Sequence, residues 1–224
     1  MTEPTGKPKA ATRKGEATRG LILDASEILF ARSGYLGTSL RDIAQEAGVR
    51  IGLVHYHFAN KHLIIEAALD RKLGLLRDTI AASFAEAEAR PGEFGLEEIV
   101  TAFILPFLQA ASREDDPLRN YIVMTSHLMS SYRMPELRPI LAKLGVVSGI
   151  LTDRLRAHQP EITESNLLAG VYLIEAALIF MVQDPGFLDD LSRDHHSVAR
   201  LEDMARPALR FFASGLESLQ KPLA

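Results

Sequence analysis

Cysteine is absent from this chain of 224 residues. Its absence excludes a disulfide scaffold, a thiol nucleophile and a zinc or iron–sulfur centre with cysteine ligands. The first twenty residues are polar and include no apolar segment of the kind found in secretory signals. Hydrophobic residues make up 47% of the chain and charged residues 24%, which are ordinary values for a globular protein. We therefore expect a soluble, cytoplasmic protein.

Signals for β-structure are missing as well. No run of residues alternates between apolar and polar, and no Asn-Gly or Asp-Gly pair marks a hairpin. From Thr18 onward, apolar residues recur three and four positions apart, and proline or glycine separates the helical segments. Residues 1–17 lack this periodicity and are predicted to form a flexible basic arm. The sequence therefore predicts an all-α protein.

Sequence signatures of enzymes and metal sites are also absent. There is no glycine-rich phosphate loop, no Gly-x-Ser-x-Gly turn and no His-Glu-x-x-His pair. Of the seven histidines, His55 and His57 lie two positions apart and point to different sides of a helix. We therefore expect neither a metal nor a cofactor. An all-α enzyme without a known signature, or a small-molecule-binding protein without a DNA function, stays open as the alternative.

Positive charge is concentrated at one end of the chain. Residues 1–72 contain 11 Lys and Arg against 8 Asp and Glu, a net charge of +3, although the whole chain carries −4. This asymmetry is typical of a protein whose basic end meets a polyanion such as DNA. Chance produces a difference of this size too, so charge alone assigns no function.

Residues 39–58 have the layout of a helix-turn-helix, with two short helices joined by a sharp turn. Ala44 and Ala47 are small enough to let the helices cross closely. Gly48 tolerates the positive φ of the turn, and Val49 supplies a buried apolar anchor. In this motif the second helix lies in the major groove of DNA. An ordinary helical hairpin is the structural alternative.

The turn lies within a longer pattern that spans nearly 30 positions. The DNA-binding domain of TetR-family transcriptional regulators closely resembles this pattern at Gly34–Val49, Gly52, Tyr56–Phe58 and Asn60–Lys61. The resemblance covers about residues 18–66. It implies a three-helix DNA-binding domain there and a helical ligand-binding and dimerisation domain over residues 67–224, with nine or ten helices in all.

The resemblance also implies how such a protein acts. It predicts a homodimer that binds a pseudo-palindromic, double-stranded DNA operator and is regulated by a small-molecule effector. A ligand-responsive repressor is the expected form, although an activator has the same sequence features. The residues that match DNA-contacting positions of the family are Thr38, Ser39, Arg41, Arg50, Ile51, Leu53, His55, Tyr56, His57 and Lys61.

Specific roles follow from matching positions. Thr38 and Ser39 match residues that cap the second helix and donate to a phosphate. Tyr56 and His57 match the phosphate-contacting end of the recognition helix. Lys61 matches a lysine at the start of the fourth helix, where its charge and the helix N-terminus both suit a phosphate.

The recognition helix departs from the family pattern at its start. Arg50 stands where the family commonly has a serine, so the helix loses its N-cap hydroxyl, at a cost of about 1 kcal/mol. Arg50 suits a guanine or a phosphate, while Ile51 and Leu53 suit thymine methyl groups. His55 replaces the usual tyrosine, so its phosphate contact passes to Tyr56 or is weakened.

Two apolar helices in the C-terminal part predict a dimer. Leu167–Val182 contains a single charge, Glu175, and a helix that is apolar nearly all round must be buried on more than one side. A second chain or a central position in a monomer satisfies this requirement. The apolar side of the last helix, a candidate companion, carries Leu209, Phe212, Leu216 and Leu219.

An effector cavity is expected between the middle helices. Pro106 should kink its helix and open space beside neighbouring aromatic rings. A polar group on an apolar face, such as His127 or Glu175, needs a partner, which is the ligand, a water molecule or the other polar group. An apolar cavity of this kind suits a hydrophobic or aromatic small molecule. The candidate lining residues are Phe103, Phe107, Met124, His127, Leu128, Met134, Tyr172 and Glu175.

Overall fold

A computed structural model describes residues 9–183, 186–197 and 201–220. Within these ranges the chain is helical and contains no strand, which confirms the all-α prediction. In chain order the helices are α1 (Lys9–Ser33), α2 (Leu40–Glu46), α3 (Ile51–His57), α4 (Lys61–Ala89), α5 (Leu96–Ser112), α6 (Arg119–Met129), α7 (Arg138–Leu141), a 3₁₀ turn (Ala142–Leu144), α8 (Gly145–His158), α9 (Glu164–Gln183), α10 (Phe187–Ser192) and α11 (Leu201–Ser218).

The first helix includes residues 9–17, so the prediction of a flexible arm is wrong for that part of the chain. Thr18 Oγ1 donates a 3.0 Å hydrogen bond to the carbonyl of Lys14, as side chains on a continuous helix do. The segment is rich in Ala, Arg, Lys and Glu, which favour a helix by intrinsic propensity without any apolar periodicity. Residues 1–8 lie outside the described part of the chain.

Helices α1, α2 and α3 form an N-terminal unit, called the head below, around a shared apolar core. Ile22, Phe30, Ile43 and Val54 are fully buried in it. Gly48 follows α2 with a φ of +64°, a left-handed conformation that glycine adopts at little cost. The turn therefore joins α2 to α3 as the sequence predicts.

Helix α4 runs from the head into the rest of the chain, called the body, which comprises α5 to α11. Asn60 caps α4, and its side chain accepts a 3.0 Å hydrogen bond from the amide of Leu63. With 29 residues, α4 is about 43 Å long. Tyr121 of α6 donates a 2.9 Å hydrogen bond to the carbonyl of Leu69 in α4. Helix α4 also contacts α1 of the head and therefore packs against both units.

An ion-pair cluster also connects α4 to the body. Lys143, on the 3₁₀ turn, places Nζ 2.9 Å from Glu66 Oε1 and 2.8 Å from Asp70 Oδ2. These hydrogen bonds to two carboxylates raise the pKa of Lys143. The first turns of α4 are thus tied to the segment between α7 and α8.

Helix α5 lies at the centre of the body and contacts α4, α6, α8, α9 and α11. Pro106 lies inside α5, as expected, and its missing N–H removes one hydrogen bond from the helix ladder. Phe103 is fully buried, while Phe107 is half-buried. Both side chains line a cavity that is described below.

Helices α9 and α11 divide their apolar side chains between the core and the surface. Among the described residues, α9 is the helix long and apolar enough, by length and composition, to cross a membrane. One of its sides is buried in the body, and the other exposes Leu168, Tyr172, Leu173 and Phe180.

The predicted apolar side of α11 faces its own chain. Leu209 and Leu216 are buried, and Leu216 Cδ2 would lie only 2.6 Å from a Cβ atom at Gly170. Glycine at that position therefore lets α11 approach α9 closely. Since α5 and α9 cover this side of α11, the structure does not support it as the surface that meets a second chain.

Candidate DNA-recognition surface and ligand cavity

Ser39 caps helix α2 through a reciprocal pair of hydrogen bonds. Its Oγ accepts from the amide of Asp42 at 3.2 Å, and Asp42 Oδ2 accepts from the amide of Ser39 at 2.8 Å. These hydrogen bonds with Ser39 lower the pKa of Asp42. The predicted capping role of Ser39 is confirmed, and its hydroxyl lies at the N-terminus of α2.

Helix α3 buries one side and exposes the other. Val54 is fully buried in the head, whereas Tyr56 is 81% exposed. Arg50 occupies the N-cap position with no side-chain capping bond, which confirms the predicted loss of the cap. The exposed set on and before α3 consists of Arg50, Ile51, Leu53, His55 and Tyr56.

The C-terminal end of α3 lies against α1. The rings of Tyr56 and His57 meet edge to face with centroids 5.1 Å apart, and His57 is half-buried. A Cβ atom at Gly15 would lie 3.9 Å from His57 Cε1. The guanidinium of Arg19 lies 5.1 Å from the ring centroid of buried Phe58. The N-terminal half of α1 therefore packs beside the C-terminal end of α3.

Thr38 does not lie on the exposed surface. Its side chain is only 2% exposed, and Oγ1 donates to the carbonyls of Gly34 at 2.9 Å and Leu29 at 3.3 Å. The predicted phosphate contact of Thr38 is therefore wrong, because the hydroxyl proton is used inside the head. Thr38 instead fixes the turn between α1 and α2.

Lys61 is likewise directed into the protein. Its Nζ donates to the carbonyls of Tyr35 at 2.6 Å and Thr38 at 2.7 Å, and lies 4.0 Å from the Tyr35 ring centroid. Burial lowers the pKa of Lys61, and the charge of Asp42 opposes that shift. Lys61 fastens the start of α4 to the α1–α2 turn, so the structure does not support its predicted role as a phosphate contact. Arg41, by contrast, is exposed on α2.

A cavity of about 280 Å³ lies between α4 and the helices of the body. Of the predicted lining residues, the structure brings together Phe103, Phe107 and Glu175. The phenyl rings of Phe103 and Phe107 have centroids 5.5 Å apart and are tilted by 52°. The remaining wall residues are Leu76, Ile122, Thr125, Ser126, Met129, Tyr132, Leu141, Leu144, Gly145, Val147, Ser148, Leu178, Ile179 and Val182.

Five predicted lining residues lie elsewhere. Met124 and Leu128 are fully buried in the core, because they lie on the side of α6 that packs against other helices. His127 and Met134 are half-buried outside the cavity wall. Tyr172 is 71% exposed on the outer side of α9. The side chains at these five positions therefore do not line the described cavity.

The hydroxyl side chains of the cavity wall are absent from the lining residues that the sequence predicts. Thr125, Ser126 and Ser148 carry no pattern that separates a cavity from an ordinary helix interface. Burial raises the pKa of Glu175, and a hydrogen bond from Ser148 partly offsets this shift. Among the described residues, no group of three or more Asp, Glu or His side chains is arranged to hold a metal ion.

Two protein families match the chain. The family described as "Bacterial regulatory proteins, tetR family" matches residues 22–68. The family described as "Tetracyclin repressor-like, C-terminal domain" matches residues 101–215, about half of the chain. The first match contains the helix-turn-helix, and the second contains nearly all of the cavity wall.

Curated relatives match mainly the N-terminal part. The HTH-type transcriptional regulator TtgR of Pseudomonas putida is 39% identical over 79 residues, which are 35% of this chain and 37% of that relative. The alignment therefore spans little more than a third of the relative's length.

Solved structures share the fold over nearly the whole chain. The fatty acid degradation regulator FadR from Bacillus halodurans has a TM-score of 0.63 and 17% identity, covering 96% of this chain and 98% of that one. The multidrug binding protein EbrR, solved in complex with imidazole, has a TM-score of 0.57 and 21% identity, covering 92% and 96%.

Proposed function

The chain belongs to the TetR family of bacterial regulatory proteins, and from this premise we propose that it is a ligand-responsive transcriptional repressor. It binds double-stranded DNA as a homodimer at a pseudo-palindromic operator and acts in the cytoplasm. Members of this family are transcriptional regulators rather than enzymes. The observation that carries the proposal is the exposed side of α3, a helix whose other side is buried in the head.

The exposed side chains divide into two kinds of DNA contact. Arg50 has the donors to pair with a guanine edge, while Ile51 and Leu53 offer apolar contact to thymine methyl groups. Tyr56 and His55 reach phosphates by hydrogen bonds, which position the head without reading sequence. Further phosphate contacts come from Ser39, Arg41 and His57.

Dimerisation is supported by the exposed side of α9. Leu173 is 59% exposed and Phe180 is 54% exposed, next to Leu168 and Tyr172 on the same helix. An apolar patch formed by these four side chains is unfavourable in water, and a second copy of the same helix would cover it. Two heads placed about 34–36 Å apart then meet successive major grooves on one face of DNA.

Ligand response is supported by the position of the cavity. Its wall includes Leu76 of α4, and the neighbouring Leu141 and Leu144 flank Lys143, which pairs with α4. A hydrophobic or aromatic effector that prefers one position of α4 shifts the separation of the heads. DNA release then requires only that the effector bind the DNA-incompetent arrangement more tightly.

The test is selection of sheared genomic DNA from the source organism, followed by sequencing, at two salt concentrations. We expect enrichment of a short pseudo-palindrome that weakens at the higher salt. Tyr56→Ala should reduce recovery of every fragment, whereas Arg77→Ala, which removes an exposed charge from the middle of α4, should not. Absence of enrichment at both salts, with a ligand-stripped and refolded sample giving the same result, overturns the proposal.

A further inference from the structure

Glu175 is an acidic side chain in an otherwise apolar part of the cavity wall. On α9 it shares one side with Leu178, Ile179 and Val182, which also line the cavity. The two phenyl rings of α5 lie in the same wall. A carboxyl group in this setting has little water to stabilise its charge.

The wall supplies no positive charge to balance Glu175. Among the described residues that line the cavity, Tyr132 is the other titratable side chain, and none is Lys, Arg or His. Lys143 lies on the adjoining 3₁₀ turn, but its ammonium group is paired with Glu66 and Asp70. The positive charge that balances an ionised Glu175 must therefore come from the ligand.

Two hydroxyl groups of the wall have no proton available for an anionic ligand. Thr125 Oγ1 donates to the carbonyl of Ile122 at 3.0 Å, and Ser126 Oγ donates to the carbonyl of Val123 at 2.7 Å. Both hydroxyl protons are thus used within α6 and do not point to a ligand oxygen. A carboxylate or phosphate would in addition be repelled by Glu175.

A cationic ligand reverses this balance. Burial raises the pKa of Glu175, and Ser148 opposes the shift only in part, so burial in this wall favours the neutral form of the acid. An ammonium group beside the carboxyl favours the ionised form, because the attraction between the two charges is strong where water is scarce. Aromatic rings in the wall attract the same cation through their faces.

We propose that the cavity binds a small aromatic or alicyclic molecule carrying one cationic nitrogen, which pairs with the carboxylate of Glu175. The volume of about 280 Å³ is just below the range of about 300–1,000 Å³ that is typical of ligand pockets, and therefore suits one compact ring system. That this ligand is the effector rests on the proposed function, but binding to the cavity does not.

The test compares two ligands of the same shape. The cation 2-naphthyltrimethylammonium and its neutral isostere 2-tert-butylnaphthalene are titrated into the full chain and followed by NMR shifts of the cavity methyl groups. At pH 8 we expect the cation to bind at least tenfold more tightly. Its affinity should fall as the pH is lowered through the pKa of Glu175, because the permanently charged ligand needs the carboxylate.

Two variants make the result specific. Glu175→Gln keeps the shape of the side chain and should reduce the preference for the cation to about twofold or less, while the neutral isostere keeps its affinity within about threefold. Glu86→Gln removes an exposed carboxylate from α4 and should leave both affinities unchanged. Circular dichroism melting of each variant checks that the fold is retained.

Several outcomes overturn the proposal. They are equal affinity of the wild type for both ligands, preference for the neutral isostere, persistence of the cation preference in Glu175→Gln, and absence of binding by the cation. DNA affinity is measured separately by fluorescence anisotropy. Cation binding without any change in DNA affinity overturns the regulatory role alone, whereas DNA binding without cation binding overturns the ligand class alone.

Discussion

Lys72 Nζ lies 2.5 Å from Oε2 of Glu27, a carboxylate that is only 3% exposed. The same ammonium group donates a 2.9 Å hydrogen bond to the carbonyl of Pro117, in the segment between α5 and α6. Arg71 lies 2.8 Å from the other carboxylate oxygen of Glu27. Lys72 of α4 thereby connects the buried carboxylate of Glu27 on α1 to the loop between α5 and α6.

Glu27→Gln tests this connection. We expect the free energy of unfolding to fall by about 1.5–3 kcal/mol, because two charge-assisted interactions with the buried carboxylate are lost. Urea denaturation followed by circular dichroism measures the change. Glu86→Gln, an exposed change of the same chemistry, should stay within about 0.5 kcal/mol of the wild type; equal effects of the two variants would contradict the role of Glu27.

Lys61→Met separates a structural lysine from a DNA contact. Loss of the hydrogen bonds to Tyr35 and Thr38 should reduce the free energy of unfolding by about 1–3 kcal/mol. The slope of log affinity against log salt should stay unchanged, because Lys61 Nζ faces the protein. Arg41→Ala should do the opposite, with a slope smaller by about 1 and little change in stability. Anisotropy titrations at several salt concentrations check both predictions. A flatter slope for Lys61→Met would show that Lys61 does contact a phosphate.

Arg50→Ser should stabilise the protein and change the DNA sequence that it prefers. The backbone of Arg50, with φ of −72° and ψ of 143°, already has the extended conformation of an N-cap residue. A serine there should add a capping bond and about 1 kcal/mol of stability. Arg50→Ala loses the guanidinium without gaining a cap, so both variants should alter the selected DNA sequence and only the serine should raise the unfolding free energy. Identical stabilities would show that α3 has no room for a cap.

Glu175→Gln should change the pH dependence of stability. Because burial raises the pKa of Glu175 in the folded protein, the folded state binds more protons than the unfolded state between the two pKa values. Stability contributed by the neutral acid is therefore present at low pH and is lost as the pH rises through the folded-state pKa. Urea denaturation at pH 5, 6, 7 and 8 should show the variant gaining stability relative to the wild type with rising pH. A constant difference would mean that burial does not affect this carboxyl.

Leu173→Glu should dissociate the proposed dimer without unfolding the chain. The side chain is exposed on α9, so a charge there should cost little in the monomer and much in an apolar interface. We expect the dimer dissociation constant, measured by analytical ultracentrifugation, to rise at least tenfold. Leu75→Glu, an exposed change on α4, is the matched control. A dimer that survives Leu173→Glu unchanged would place the interface elsewhere.

Local features of the fold were predictable from sequence because their causes lie within a few residues. The caps at Ser39 and Asn60 bind amides three positions away, and the missing cap at Arg50 follows from the residue type alone. The start of α1 was not predictable from apolar periodicity, because that segment is helical through composition.

Long-range hydrogen bonds explain the errors in the candidate site. The carbonyls bound by Lys61 lie 23 and 26 residues away, and a carbonyl belongs to every residue, so no sequence pattern points to it. The cavity was predictable only in part for a similar reason. Met124 and Phe103 are equally apolar, and only the relative placement of α5 and α6 decides which one meets empty space.

The α1–α2 turn has one further consequence. Carbonyls of Leu29, Gly34, Tyr35 and Thr38 accept hydrogen bonds from the side chains of Thr38 and Lys61, so the turn is held by bonds within the protein. Its ordering entropy is lost when the chain folds and not when DNA arrives. The head therefore meets DNA with this turn already ordered. In the proposed repressor, an effector then acts by changing the separation of the two heads and not by changing the shape of either one.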